Sequence, residues 1–503
     1  MVFSSQLFLF YFLPAALLLY FASPYRLRNL TLTLTSYLFY GWANPFYLVL
    51  IAWSTAVDYC CGNLIGGYWR LLGPITRGDD GEPRASELQR RLFVGVSLVS
   101  NLGLLGFFKY GPFIQQNYKA LSAAAGAEPG QILKILLPVG ISFYTFESIS
   151  YTLDIYFGRA RPALADVLPR NEKVGPLGRL LAEMRALVSF ACYITQFPHL
   201  VAGPIIRYQD LEAQLHNRTH TFAKFGRGVF FFSLGLAKKV LVANPAGEVA
   251  DLAFNAAPLH PLDAWYGLFG YAFQIYFDFS GYSDMAIGLG LMVGFEFVKN
   301  FDSPYKSQSV TEFWRRWHIS LSTWLRDYLY VPLGGNRKGQ LRTYANLMTV
   351  MLLGGLWHGA AWPFLVWGAI HGGWLCLERV LDKRSFYARA PAVARVAVTF
   401  LIVNLAWVFF RAKDLSAGVE YLGSLFGLVA VPATAALPRG DFYNRYHAFW
   451  MVTAAALAFF GVQTWDLARR VTPLRAALAV VLLLWSVAAL CAQAYNPFLY
   501  FQF

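Results

Sequence analysis

Long apolar runs broken by short polar loops set the pattern of this chain. The runs that separate cleanly are 3–22, 30–66, 92–110, 132–157, 187–206, 228–254, 264–297, 344–375, 396–411, 449–465 and 476–492. A helix needs about 20 such residues to cross a bilayer. The runs are unbroken, unlike the alternating segments of about ten residues that build outer-membrane barrels. The pattern therefore predicts an all-α polytopic membrane protein with roughly ten to twelve crossings, plus re-entrant and interfacial helices. Run 30–66 predicts a hairpin turning at Asn44-Pro45, and runs of roughly 30 residues such as 264–297 predict tilted, broken or re-entrant helices. Met1 to Phe21 has no Lys or Arg ahead of it, and Ala22-Ser23-Pro24 is a poor cleavage site, so the segment reads as an uncleaved first span. No repeat, low-complexity tract or heptad seam divides the chain, which reads as a single membrane-embedded domain over 1–503.

Composition narrows the class. Apolar residues make up 57% of the 503 and charged residues only 14%, against about 45–50% and about 25% in soluble domains. That excludes a water-soluble enzyme of this length, and the aromatic content of 17% excludes disorder. The net charge of +14 is unevenly spread. Segments 70–91, 159–186, 299–342, 379–395 and 469–475 are rich in Arg and Lys, whereas 111–131 offers only Lys119. This asymmetry predicts that the basic loops, 70–91 and 159–186 among them, lie in the cytoplasm. Arg26 and Arg28 follow the first run, and Arg469, Arg470 and Arg475 precede the last. Both termini are then expected on the periplasmic side of an inner membrane. Topology accounts for the basic charge, so no nucleic-acid partner is expected and membrane lipid is. Cys60, Cys61, Cys192, Cys376 and Cys491 show no C-x-x-C spacing and read as small apolar filler. No metal site is expected.

P-loop, H-E-x-x-H and G-x-S-x-G motifs are absent. Three unusual stretches remain. Asp278 and Asp284 lie inside an apolar run, where a carboxylate costs roughly 2.5–3.5 kcal/mol without a partner or a water-filled cavity. Gln274, Asp278 and Tyr282 recur at i, i+4, i+8 and share a helix face, which reads as structural polar bonding or as the lining of a tunnel. In 309–330, Ser309 and Glu312 have capping-box spacing. The Trp314, Trp317, His318, Leu321, Trp324, Leu325 stripe then predicts an interfacial helix over 311–326, with Arg315 and Arg316 facing phosphates. In 354–374, Gly354, Gly355 and Gly359 surround Trp357-His358, so a break or close approach is expected at His358. His371 lies 13 residues on and would point elsewhere on a continuous helix.

These stretches resemble the membrane-bound O-acyltransferase (MBOAT) family, specifically its bacterial alginate O-acetylase branch. The matching segments are MVFSSQLFLF, LLPVGISFYTFESISYTLDIYFG, FPHLVAGPIIRYQDL, FDFSGYSDMAIGLGLMVGF, SVTEFWRRWHISLSTWLRDYLYVPLGGNRKG, GGLWHGAAW and PFLYFQF. They run from the first residue to the last, and the 309–362 block is highly specific. Stretches 73–91 and 159–186 are longer than in that branch. The resemblance implies a helix bundle around a central tunnel, a catalytic region over 299–375, and two hallmark histidines, His358 and His318. It implies acetyl-CoA as donor, no permanently bound cofactor, and periplasmic partner proteins that carry the acetyl group to a polysaccharide, most readily alginate. Arg315, Arg316, Trp317, Lys338 and Trp357 are the expected donor-binding residues. D-alanyl transfer to another envelope polymer, or a non-enzymatic export subunit, are the alternatives.

Overall fold

The long apolar runs fold as helices, as their pattern predicts, and the described residues hold one small ribbon besides, pairing Thr76–Arg77 with Pro83–Arg84. The computed structural model describes residues 1–499 except Ala43, 73–75, 78–82, 128–132, 169–173, 382–388, 433–436 and 438. Five described helical stretches are long and apolar enough to cross a membrane: Tyr47–Ile65, Glu87–Ala124, Phe222–Ala256, Ala392–Arg411 and Pro473–Ala492. The protein is an all-α, multi-pass membrane protein. The hairpin expected at Asn44-Pro45 forms between Arg28–Gly41 and Tyr47–Ile65, with Asn44 Oδ1 accepting from Phe46 N at 3.0 Å. The cysteines are free. The chain divides into two compact units, 1–226 with 289–297, and 227–288 with 298–503.

The first unit is built around helix Ile141–Tyr156, which is buried along nearly its whole length although it carries Glu147, Asp154 and several hydroxyls. Buried polar groups need partners, and the neighbouring helices supply them. Ser97 Oγ stands 2.9 Å from Thr152 Oγ1 of this helix and donates to Asp58 at 2.6 Å, and Asn101 Nδ2 donates to the same Asp58 at 2.8 Å. The Glu147 carboxylate lies 3.0 Å from His199 Nδ1, with both side chains fully buried.

The second unit corrects one expectation. Of the tilted, broken and re-entrant forms expected for run 264–297 the broken one does not occur: Pro261–Met292 is one helix of 32 residues, about 48 Å long at 1.5 Å per residue, and the chain leaves the helix at 293–297. Its glycines serve close packing instead of interruption. A Cβ on Gly281 would stand 2.7 Å from Gly235 O, so the helix Phe222–Ala237 approaches backbone to backbone, as small residues allow between membrane helices. The shared face read from Gln274, Asp278 and Tyr282 is real, and it meets the C-terminal segment. Asp278 forms an ion pair with Lys239 at 2.7 Å and accepts from Leu499 N at 3.1 Å. Tyr282 stacks on Phe498 at 4.5 Å, and Lys239 also donates to Pro497 O. Asp284 lies off this face, paired with Lys238 at 2.6 Å and accepting from Thr464 Oγ1 at 2.7 Å. Asp278, Tyr282 and Lys239 thus tie the segment 497–499 into the unit, and Asp284 ties in the helix start at Thr464.

A buried pair stripped of one partner costs about 3–5 kcal/mol, whereas replacing both members by apolar groups can be neutral. Lys239→Ala is expected to lower the thermal midpoint and membrane accumulation sharply, and Lys239→Met combined with Asp278→Leu to recover much of both. Fluorescence-detected size exclusion after a temperature ramp checks this.

Candidate active site

The second unit contains the whole of 299–375, and the backbone there departs from the continuous helices that spacing suggests. The capping box at Ser309 forms on one side, with Ser309 Oγ accepting from Glu312 N at 2.9 Å. The Glu312 carboxylate reaches back one residue further than the pattern implies, accepting from Gln308 N at 2.8 Å. The helix so started is short. Val310–Arg316 ends, and Ile319–Leu325 begins after a break at Trp317-His318. A single helix over 311–326 does not exist. The cause is tertiary: segment 300–302 runs along the break, Asp302 N donating to Arg316 O and Ile319 N to Asn300 O, each at 2.9 Å.

His318 takes the left-handed conformation at this break, φ 45° and ψ 55°. A non-glycine residue held there costs of order 1–3 kcal/mol and persists only where its surroundings over-determine it, a condition met mostly at functional sites. The surroundings are specific. Asn300 Oδ1 stands 3.2 Å from His318 Nδ1 and accepts from Ser320 Oγ at 2.9 Å and Ser320 N at 3.2 Å. The ring is fully buried edge-on to Phe279, with centroids 4.6 Å apart. Its Nε2 is buried without a hydrogen-bond partner among the described residues.

His358 arrives from a hairpin. The apolar run 344–375 breaks as its glycines predict, into Gln340–His358 and Trp362–Leu381, with His358 the last residue of the first helix. The two helices touch through glycine: a Cβ on Gly355 would stand 2.3 Å from Phe364 O. At Gly354 the nearest atom to an added Cβ is Leu325 Cδ1 at 3.5 Å, an ordinary contact. Gly355→Ala should thus destabilise the hairpin by the roughly 1–3 kcal/mol of an overpacked core. Gly354→Ala should be neutral or slightly stabilising, since alanine favours a helix by about 1 kcal/mol over glycine. Thermal midpoints of the two variants in detergent test the contrast.

The hairpin sets the His358 ring 5.2 Å from Trp367, 5.1 Å from Phe410 and 4.9 Å from Trp357, and 6.3 Å from the His318 ring, centroid to centroid. Trp357 is also 5.9 Å from His318, so it touches both imidazoles. Beside His358 is a cavity of about 110 Å³, walled mainly by Trp314, Leu321, Ser322, Leu325, Met351, Gly354 and Trp367. That is room for about four waters at 30 Å³ each, on the scale of a short acyl thioester. A buried imidazole opening on a small apolar cavity, with a second imidazole alongside, can exchange a proton with a reacting group away from water.

The remaining sequence candidates fall into two groups. Trp317 is buried in an aromatic cluster with Phe313, Phe301, Tyr305 and Trp407, a packing role. Arg316 is held by Glu312 at 2.8 Å and donates to Asp302 O at 3.1 Å. Arg315 and Lys338 are exposed. His371 does not point away. Because the helix ends at His358, a continuous helical phase does not apply, and His371 packs on the same Trp367 at 4.9 Å, its Nδ1 accepting from Trp314 Nε1 at 3.3 Å. Sequence reasoning missed Asn300 and Ser320 altogether.

The sequence pattern that describes the MBOAT, or membrane-bound O-acyltransferase, family matches residues 123–411, more than half of the chain, and this stretch includes both histidines and the hairpin. The chain belongs to that family. As an MBOAT protein it is an O-acyltransferase. It is 43% identical, over the full length of both chains, to a Pseudomonas putida protein named "Probable alginate O-acetylase AlgI". It is 36% identical to the peptidoglycan O-acetyltransferase of Helicobacter pylori, covering 88% of this chain and 84% of that one. A teichoic acid D-alanyltransferase of Streptococcus thermophilus is 26% identical over 54% of this chain and 68% of its own.

Proposed function

We propose that this MBOAT protein passes acetyl groups from acetyl-CoA in the cytoplasm across the inner membrane for O-acetylation of an exopolysaccharide, alginate. The observation that carries the reading is the cavity of about 110 Å³ with His358 in its wall and the His318 ring 6.3 Å from that of His358. Its size suits an acetyl thioester. Full-length similarity to proteins named for alginate supports the polysaccharide, and the weaker, partial similarity to D-alanyltransferases disfavours the D-alanyl alternative. An export subunit would have no use for two enclosed imidazoles.

The chemistry follows from the groups present. A hydroxyl oxygen attacks the thioester carbonyl, a C–O bond forms, the C–S bond breaks, and the hydroxyl proton ends on the CoA thiol. His358 takes that proton and returns it, a role a neutral imidazole fills near pH 7. His318 acts beside it. The apolar wall keeps water from the thioester. The basic segment 299–342 is assigned to the cytoplasmic side by charge asymmetry, where acetyl-CoA exists. Exposed Arg315 and Lys338 are the groups there that can meet its phosphates. Arg316, tied to Glu312 and Asp302, shapes the segment instead. Both termini are assigned to the periplasm, where partner proteins of the polysaccharide machinery take the acetyl group onward. No resident cofactor enters this scheme.

Deleting the gene in its host and measuring ester-linked acetate and alanine on envelope and secreted polymers tests the reading. Acetate on the secreted polysaccharide should fall to background and return with the wild-type gene, with ester-linked alanine unchanged. Unchanged acetate, or loss of alanine, would contradict it.

A further inference from the structure

We propose that Asn300 is a positioning residue that fixes the tautomer of His318, placing its proton on Nδ1 and leaving Nε2 as a lone-pair acceptor in the acyl-transfer site. The inference deepens the reading above, because it gives His318 a definite chemical role there.

One group at the site carries a hydrogen of fixed position. Ser320 N is a backbone donor, and it lies 3.2 Å from one terminal atom of the Asn300 side chain. That atom must be the amide oxygen, since two donors would repel. The opposite terminal atom is then the amide nitrogen, and it lies 2.8 Å from Ser283 Oγ, an available acceptor. The backbone N–H of Ser320 thus fixes the orientation of the amide, and the Ser283 hydroxyl, on a different helix, accommodates it as acceptor. Asn300 Oδ1 can only accept, and it stands 3.2 Å from His318 Nδ1; the Ser320 hydroxyl, 3.4 Å from the same nitrogen, gives its hydrogen to the nearer Asn300 Oδ1 at 2.9 Å and meets Nδ1 as an acceptor. In the neutral ring Nδ1 must therefore carry the hydrogen, and Nε2 must not.

Three features hold this arrangement rigid. Ile319 N donates to Asn300 O at 2.9 Å, so Asn300 grips the backbone next to His318 as well as the ring. The left-handed conformation of His318 directs the side chain into the break instead of along a helix face. The ring is fully buried and Nε2 has no hydrogen-bond partner among the described residues, so its lone pair is open to a donor. An acceptor nitrogen cannot polarise a thioester carbonyl, which needs a hydrogen-bond donor. It can receive a hydroxyl proton, or hold the proton that His358 has taken. His318 therefore acts on the proton and does not orient the donor carbonyl.

Two readouts test this independently. Nitrogen NMR of protein labelled at histidine and reconstituted in lipid reads the tautomer directly, with His318 assigned by its loss in His318→Gln. The expected spectrum shows a protonated Nδ1 and an unprotonated Nε2 for His318, and it does so whether or not the protein uses acetyl-CoA. The reverse tautomer would overturn the proposal. The second readout is turnover with acetyl-CoA. Asn300→Leu removes the acceptor and should lower kcat about 10²–10³-fold, in keeping with the roughly 10⁴-fold loss from a wrong tautomer in serine proteases. Its KM for acetyl-CoA should stay within about twofold. Asn300→Asp keeps an acceptor toward Nδ1 and Ser320, with the Ser283 hydroxyl turned to donate where it accepted from Asn300 Nδ2, and should retain activity within about tenfold of wild type. Wild-type kcat in Asn300→Leu, or equal loss in a well-folded Asn300→Asp, would also overturn it. Should Asn300→Leu fail to accumulate, the wild-type spectrum and Asn300→Asp still decide. If the wild type does not turn over acetyl-CoA, the functional reading fails and the spectrum alone judges the tautomer.

Discussion

His358→Ala should reduce acyl transfer by about 10²–10⁴-fold, the usual cost of losing a general acid–base group, while the protein still inserts and accumulates. The geometry separates the two effects. His358 ends its helix, so its side chain supports no further helical turn, and its ring borders a cavity on one side. The packing it contributes to Trp367 and Phe410 is real, so some loss of thermal midpoint will accompany the loss of turnover. His358→Gln keeps more of that packing and tests the point: it should be nearly as inactive as alanine while melting closer to wild type. Acetylation near the wild-type level in either variant would remove His358 from the chemistry. The assay is ester-linked acetate on polysaccharide, normalised to the amount of protein in the membrane.

His318→Ala should also lose at least about 10²-fold in turnover, with a different signature. Alanine cannot use Nδ1 to meet Asn300, and it leaves Asn300 Oδ1 with only the Ser320 donors. Removing the side chain does not remove the left-handed backbone, which Asn300 O imposes through Ile319 N. His318→Gly, which meets no steric penalty in that conformation, should therefore be more stable than His318→Ala and equally inactive. Equal stability of the two would show that the break carries little strain. Turnover near wild type in either would contradict a role on the proton. Kinetics with acetyl-CoA, alongside thermal midpoints, report both.

The chemistry-bearing stretches were legible because they violate the pattern around them. Aspartates in an apolar run, Trp-His pairs and glycines in a span all stand out, and the resemblance to MBOAT proteins rests on the same residues. The face shared by Gln274, Asp278 and Tyr282 was readable from spacing, but its partner was not, because the segment 497–499 that covers it lies over 200 positions away in the chain. The continuous helix over 311–326 was a mistaken reading for a physical reason. Local cap and periodicity signals run straight through 317–318, and the break is imposed by Asp302 N on Arg316 O and by Asn300. Asn300 itself is a lone amide in an irregular segment between Phe297 and Phe301 and carries no signal in sequence. His371 was set aside on a phase argument that assumed a helix through His358. Arg316 is a different case: Glu312 stands four residues before it, a spacing that favours a pair within the helix, and that signal was available.

The central claim is that this chain moves an acetyl group from a cytoplasmic thioester, using His358, onto polysaccharide beyond the membrane. The direct measurement uses inside-out membrane vesicles prepared from the host and carrying either wild-type protein or His358→Ala, with acetyl-labelled acetyl-CoA supplied on the exposed cytoplasmic face. Wild-type vesicles should lose label from the thioester and gain it as polysaccharide ester in the lumen, and His358→Ala vesicles should do neither. Equal lumenal labelling in both preparations, or intact thioester in both, would contradict the account.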